Sequence, residues 1–182
     1  MSRARLANIR ARGVAGVRHA TKGLSDRRLL RCVLRILAKT VLCSIATVTA
    51  GHRAHINTAY FCFSDDLELY FLSHPGSLHC RNLQESPSMG MAIFSSSQRW
   101  GGPDRGVQLL GTCRQARGSQ EKKAEGLYGK RFAAYARWRA SLGKDDAARD
   151  YRFYRFLPTR LKVLDERTFG AAVFVSADVR RG

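Results

Sequence analysis

The chain is short of acid, short of lysine, and without any of the common catalytic signatures. Fourteen acidic residues face 32 basic ones, only seven of which are lysine, so arginine carries the formal charge of +18. No run of eighteen apolar residues occurs, which excludes a membrane-spanning helix. No ten-residue apolar core follows the first basic residues, so nothing there supports a secretory signal, although the arginine-rich, acid-free composition resembles that of an organellar transit peptide. G-x-S-x-G, a Walker loop, a dinucleotide fingerprint and H-E-x-x-H are all missing. Five cysteines (Cys32, Cys43, Cys62, Cys80, Cys113) are widely spaced, with no C-x-x-C or C-x-x-H. That spacing argues against a disulfide framework and against a zinc site, and it makes a reducing cytoplasm the natural setting. The histidines form no i, i+4 pairs, and the acidic pairs Asp65-Asp66, Asp145-Asp146 and Asp165-Glu166 read as turns and loops. No metal site is expected.

What is present is a chain of 182 residues, 45% hydrophobic, long enough for one domain with a real core. Residues 1–25 hold six cations and no acid, leaving +12 on the remainder. They show no compact apolar stripe and read as a basic, disordered arm ahead of a domain spanning 26–182. The surplus charge favours anionic partners, but a solvated basic face accounts for it better than a nucleic-acid surface.

Ser25-Asp26 caps an amphipathic helix to about Lys39, with Leu29, Leu30, Val33, Ile36 and Leu37 at helical spacing. The period then changes. Residues 40–49, 53–63 and 67–73 read as three strands joined by tight turns, an antiparallel meander. A short helix follows His74-Pro75-Gly76 and stops at Pro87. Strands are expected at 88–97 and 106–116, where Gly111 permits a bend or a close backbone approach. A helix is expected over 119–142, then a strand over 151–165 with Pro158 at an edge or bulge, and a further strand at 171–175. Six or seven strands with two or three helices predict an α+β domain built on a small closed antiparallel barrel.

The segment FLSHPGSLHCRNL (71–83) stands out chemically. A strand ends, Pro-Gly turns the chain, and a helix opens with Ser77, His79 and Arg81 close together. Free amides at a helix N-terminus attract phosphate, and hydroxyl or cationic side chains can complete the cradle. The same spacing also fits plain N-capping by Ser73 or Ser77 with a solvated Arg81.

The order of elements, taken with LELYFLS, Ser77-x-His79, the Ser86-Pro87 strand start and GVQLLGTC, resembles the FMN-binding split barrel of the pyridoxamine 5′-phosphate oxidase-like superfamily over roughly residues 27–176. That resemblance implies a flavin phosphate at Ser77, His79 and Arg81, with Ser73 nearby. It implies that strand 54–61 and the loop before Arg105 line the ribityl chain and ring, with Trp100 and Gln108 as further candidates to reach the ring. It also implies a homodimer with cofactor sites at the interface, and an FMN-dependent oxidoreductase acting on a small molecule by hydride transfer at N5. His55 is the candidate acid or base. Two departures bear on substrate. AHINTAY (54–60) and Ser77-Leu78-His79 stand where true pyridoxamine phosphate oxidases carry cationic phosphate contacts, each worth on the order of 1.5–3 kcal/mol. The terminal R-L-x-P strand and substrate-binding R-x-H of those enzymes are not found before Gly182. Vitamin B6 phosphate oxidation is therefore not expected. A haem-binding split barrel, with His52, His55, His74 or His79 as axial ligand, a deazaflavin-dependent reductase and a cofactor-free binding protein are the alternatives.

Overall fold

The computed structural model describes residues 4–13 and 24–181. Helix α1 (Asp26–Lys39) forms where the pattern demands it: the Ser25 side chain accepts from the Arg28 N–H, and Leu29, Cys32, Val33, Ile36 and Leu37 bury one face. Strands β2 (Leu42–Val48), β3 (Ala54–Phe63) and β4 (Leu69–Ser73) make the expected meander, and helix α2 (Leu78–Glu85) follows. Strands β5 (Ser88–Phe94) and β6 (Arg105–Gln115) come next, then helices α3 (Ser119–Arg131) and α4 (Tyr135–Ser141). Strand β7 (Arg152–Asp165), the short helix α5 (Glu166–Phe169) and strand β8 (Val173–Arg180) complete the order.

The strands run β7-β4-β3-β2-β5-β6 and return to β7, closing a six-stranded antiparallel barrel. The predicted α+β split barrel is therefore the fold. Phe61, Leu69, Phe71, Met91, Ile93, Leu109, Phe156 and Val163 fill its interior. A second apolar cluster, including Cys62, Tyr70, Tyr128, Tyr135 and Phe153, joins α3 and α4 to the barrel wall. Beside it, the nearly buried Glu68 carboxylate accepts from Tyr70 Oη at 2.9 Å and pairs with Lys123 and Arg155, which hold it at about 2 against the cost of burial.

Three expectations need correction. Residues 5–13, read as part of a disordered arm, form strand β1 (Arg5–Gly13), antiparallel to β8. An edge strand needs no apolar stripe. The backbone ladder supplies its bonds, Leu6 seats in the core, and Asn8, at φ 51°, bulges to donate to Asp178 at 2.6 Å. The remainder of the arm expectation, residues 14–23, lies outside the described residues. The single helix expected over 119–142 breaks at Phe132, which turns extended (φ −121°, ψ 92°) while Arg131 reaches back to the Leu37 and Thr40 carbonyls. The last strand runs to Arg180, further than the tail pattern indicated.

Gly111 and Pro158 meet as their residue types required. The β6–β7 register slips between Leu110 and Gly111, leaving Thr159 unpaired in a bulge. A Cβ on Gly111 would stand 2.7 Å from Pro158 Cα and closer still to the Leu157 carbonyl oxygen. Gly111→Ala should therefore cost about 3 kcal/mol, because backbone rather than a movable side chain must give way. Urea denaturation reads this directly, and an unchanged midpoint would mean the strands do not approach so closely.

Candidate functional site

Beyond Phe61 the barrel wall opens. Residues 61–63 of β3 pair with β4, but residues 54–60 pair only with β2. Their other edge faces a cleft of about 600 Å³, where Asn57 to Tyr60 form one side. Leu72 and Ser73, at the end of β4, and the aromatic side chains of Phe132, Tyr135, Trp138 and Tyr151 complete the lining, with the Phe132 ring edge-on to Tyr60 at 5.6 Å. An unpaired strand edge offers alternating N–H and C=O groups to a ligand with amide-like edges. The aromatic wall offers a planar ring something to lie against.

At the Ser73 end, β4 gives way to the His74-Pro75-Gly76 turn and then α2. His74 Nδ1 accepts from the Gly76 N–H at 3.0 Å, and the Ser77 N–H donates to the His74 carbonyl at 3.0 Å, which fixes the turn. Ser77 is the N-cap residue of α2, yet its hydroxyl makes no capping bond. It lies 3.3 Å from the Ser73 hydroxyl instead, and both hydroxyls lie within hydrogen-bond distance of His79 Nε2, at 3.2 and 2.8 Å. His79 is buried and its ring stacks on His55 at 6.4 Å. Burial first, and then the neighbouring His55, push the His79 pKa down, so the imidazole is neutral at physiological pH. A bare Nε2 has one lone pair and accepts from one hydroxyl; a protonated Nε2 donates and takes neither hydroxyl proton. Either way at least one serine proton is left for an incoming oxygen anion, beside the first-turn amides of α2.

The structure thus brings Ser73, Ser77, His79 and His55 together. Arg81 shares the turn, but its guanidinium donates to the Gly76 carbonyl. His55 Nδ1 is buried without a hydrogen-bond partner. Trp100 stands fully exposed in the β5–β6 loop. Gln108 is on the outer face of β6, between Ala92 of β5 and Lys162 of β7. Neither touches the Ser73 corner. The aromatic wall from α3, α4 and Tyr151 escaped the sequence reading, although the spacing of Phe132, Tyr135 and Trp138 signalled an apolar face. Among the described residues no three His, Cys, Asp or Glu side chains converge as metal ligands, and no helix is long and apolar enough to cross a membrane.

A family model described as pyridoxamine 5′-phosphate oxidase matches residues 31–165, which takes in the barrel and leaves β1 and β8 outside. The chain belongs to the pyridoxamine 5′-phosphate oxidase family. No curated protein matches it. Among solved structures, a haem-binding protein from Mycobacterium smegmatis is similar with a TM-score of 0.65 at 18% identity, over 89% of this chain and 59% of that one. The chain therefore spans less than two thirds of that protein. HutZ, the haem storage protein from Vibrio cholerae, gives a TM-score of 0.57 at 16% identity, over 69% of this chain and 87% of that one. A protein from Clostridium acetobutylicum related to general stress protein 26 of Bacillus subtilis, of the pyridoxinephosphate oxidase family, gives 0.58 at 14% identity, over 77% and 90%. At these identities the likeness is one of fold alone, and a family fold hosts more than one chemistry.

The buried neutral His79 makes stability depend on pH. In the unfolded chain the ring protonates near pH 6.5; in the folded chain it resists protonation to a lower pH. Its contribution is fully present above about pH 6.5 and is lost progressively as pH falls from there through the lower folded-state value. The urea midpoint should drop between pH 7.5 and 5.5, and His79→Asn should flatten the drop. An identical drop in the variant would assign the dependence to another group.

Proposed function

We propose that the chain binds flavin mononucleotide along the free edge of β3 and acts as an oxidoreductase on a small molecule. The observation that carries this reading is the one-sided pairing of residues 54–60 against an aromatic-walled cleft whose lining includes Ser73, itself 3.3 Å from the Ser77 hydroxyl at the N-cap of α2. A flat ring with amide-like edges suits the strand edge and the aromatic wall, and a phosphate suits Ser73, Ser77 and the α2 amides. The flavin, when bound, supplies hydride exchange at N5, while the protein supplies position, electrostatics and exclusion of water. His79 sits behind the phosphate end as a neutral ring, stacked on His55, whose Nδ1 is unused. His79 orients the serine hydroxyls rather than adding charge.

Haem is the second reading, since two proteins of similar fold are haem proteins by description. His74 argues against itself as the axial ligand. Its Nδ1 accepts the Gly76 N–H, which places the neutral ring's proton on Nε2, the atom an iron ligand needs bare. A deazaflavin would use the same strand edge and ring wall, and a cofactor-free protein would leave the cleft to other ligands.

The visible spectrum of the purified chain separates these. Bands near about 375 and 450 nm are expected, an intense Soret band would establish haem instead, and a chain that takes up neither flavin nor haem would remove the redox assignment. Ser73→Ala with Ser77→Ala should weaken flavin mononucleotide by about tenfold or more, at one to two hydrogen bonds to a charged group lost. Unchanged affinity by fluorescence titration would reject the phosphate position.

We further propose that two copies pair through the outer face of β3, β2, β5 and β6. Register places Ile56, Ala46, Gly90 and Leu110 in one row and Thr58, Ser44, Ala92 and Gln108 in the next. Ile56 is 70% exposed, Leu110 55% and Phe94 53%, an apolar area unusual for a solvated sheet. Such a pairing gives Gln108 and Trp100 a route to the partner's cleft. Ile56→Asp should convert a dimer to a monomer in light scattering while circular dichroism shows the chain still folded, at a lower melting temperature because the pairing no longer stabilises it. A wild-type chain that is already monomeric at tens of micromolar would overturn the pairing.

A further inference from the structure

A second cavity, of about 610 Å³, forms where the end of α1, the β5–β6 loop, the start of β6 and α5 meet. Each of those four elements sends in one cation: Lys39, Arg99, Arg105 and Arg167. No carboxylate lines the cavity. Arg105 is partly compensated, its Nε lying 3.4 Å from the fully buried Asp165 carboxylate. That carboxylate is shared with Arg35 at 3.0 Å and also accepts from the Cys32 thiol and the Thr168 N–H. One buried negative charge therefore serves two guanidinium groups. Glu166 is turned away to the Asp104 and Ala172 N–H groups. Lys39, Arg99 and Arg167 have no side-chain hydrogen bond or ion pair among the described residues.

The loop that carries Arg99 is held in place rather than left free. Gln98 donates to the Ser95 carbonyl at 3.1 Å and accepts from the Arg105 N–H at 2.5 Å, and the Gly102 N–H donates to the Arg99 carbonyl at 3.0 Å. Ser95 and Ser97 hydroxyls, 2.7 Å apart, lie in the wall. Like charges brought into one concavity repel, and the repulsion is relieved by an anion that meets several of them at once. A long nucleic-acid backbone calls for cations along a stripe; here they ring a hollow that also holds hydroxyl donors.

We propose that this cavity binds a compact anion of two or more negative charges, of the pyrophosphate class, including the phosphate chain of a nucleotide. Within one chain the cavity shares no lining residue with the β3 cleft, and the proposal does not rest on the flavin reading. The test is calorimetric titration of the full chain with pyrophosphate and, separately, with ADP at about 150 mM salt, where long-range fields are screened beyond about 8 Å. Saturable binding is expected, weakened about tenfold or more in Arg99→Ala with Arg167→Ala. The charge-matched control Arg53→Ala with Arg137→Ala should bind as the wild type does. Tighter binding of ADP than of pyrophosphate would show that the cavity also holds the nucleoside; equal binding would confine recognition to the phosphates. Both double variants remove exposed side chains without bonds, so their melting temperatures should match the wild type. Absence of saturable binding, or equal weakening in the control, overturns the proposal. So does a duplex oligonucleotide that binds through Arg99 and Arg167 while pyrophosphate does not. Flavin mononucleotide affinity is read against Ser73 and Ser77 and pyrophosphate affinity against Arg99 and Arg167, which keeps failure of this site distinct from failure of the cleft.

Discussion

β7 has to satisfy three neighbours with two edges, and the architecture follows from how it does so. Its first half, residues 152–156, pairs with β4, and almost its whole length pairs with β6. From Arg160 onward β8 occupies the edge that β4 has left. The handover falls at Pro158, which has no N–H to offer, and Thr159, which the bulge leaves unpaired against β6. Arg181 closes the corner, donating to the Pro158 carbonyl at 2.6 Å and to the Leu67 carbonyl at 3.0 Å. Only a glycine opposite lets the two backbones approach as they do, so Gly111, Pro158 and Arg181 together fix where the barrel stops and its extension begins.

Closure at β7 is what permits opening at β3. With six strands sealed around Phe61, Phe71, Leu109 and Phe156, the barrel does not need the far half of β3 to pair with β4. Residues 54–60 can leave one edge unpaired because β2 holds the other. Unpaired edges are a liability in a soluble chain. This one is screened by the aromatic helices α3 and α4, whose packing on Cys62, Tyr70 and Phe153 anchors them to the wall. The same arrangement that protects the edge shapes the cleft, so the candidate site is a by-product of how the sheet avoids exposing its backbone.

The barrel was legible because its signals are local. β-branched and aromatic alternation marked each strand, and Ser25-Asp26, His74-Pro75-Gly76 and Pro87 marked the joints. Gly111 and Pro158 were each readable as a special backbone position, but nothing in sequence showed that they face each other. The Ser73–Ser77–His79 corner was legible as a group for the same local reason, since seven residues of turn and first helical turn bring it together. Its character was not. Sequence offers His79 as a basic residue, whereas burial against His55 and Phe71 makes it neutral. Residues 5–13 were missed because a strand at the edge of a sheet can carry almost any side chains. The break at Phe132 was missed because its cause is distant in sequence: Arg131 lies over Phe61 and Phe63, at 4.8 and 5.0 Å, while reaching carbonyls at the end of α1.

The electrostatics of the chain divide into a field and a grip, and the two are not in the same place. A formal charge of +18 raises the local concentration of anions around the whole molecule. Beyond about 8 Å, however, physiological salt screens it, so holding an anion falls to the groups that touch it. At the mouth of α2 those groups are neutral: two hydroxyls, backbone amides, and an imidazole kept unprotonated by burial, with the one nearby guanidinium committed to a carbonyl. Neutral donors distinguish shape and hydrogen-bond geometry but give roughly half the strength of charge-assisted ones. On the proposed flavin reading, a ligand held there draws much of its affinity from its ring lying on Tyr60, Phe132 and Trp138, and the selectivity of the cleft sits in that aromatic wall rather than at the mouth of α2.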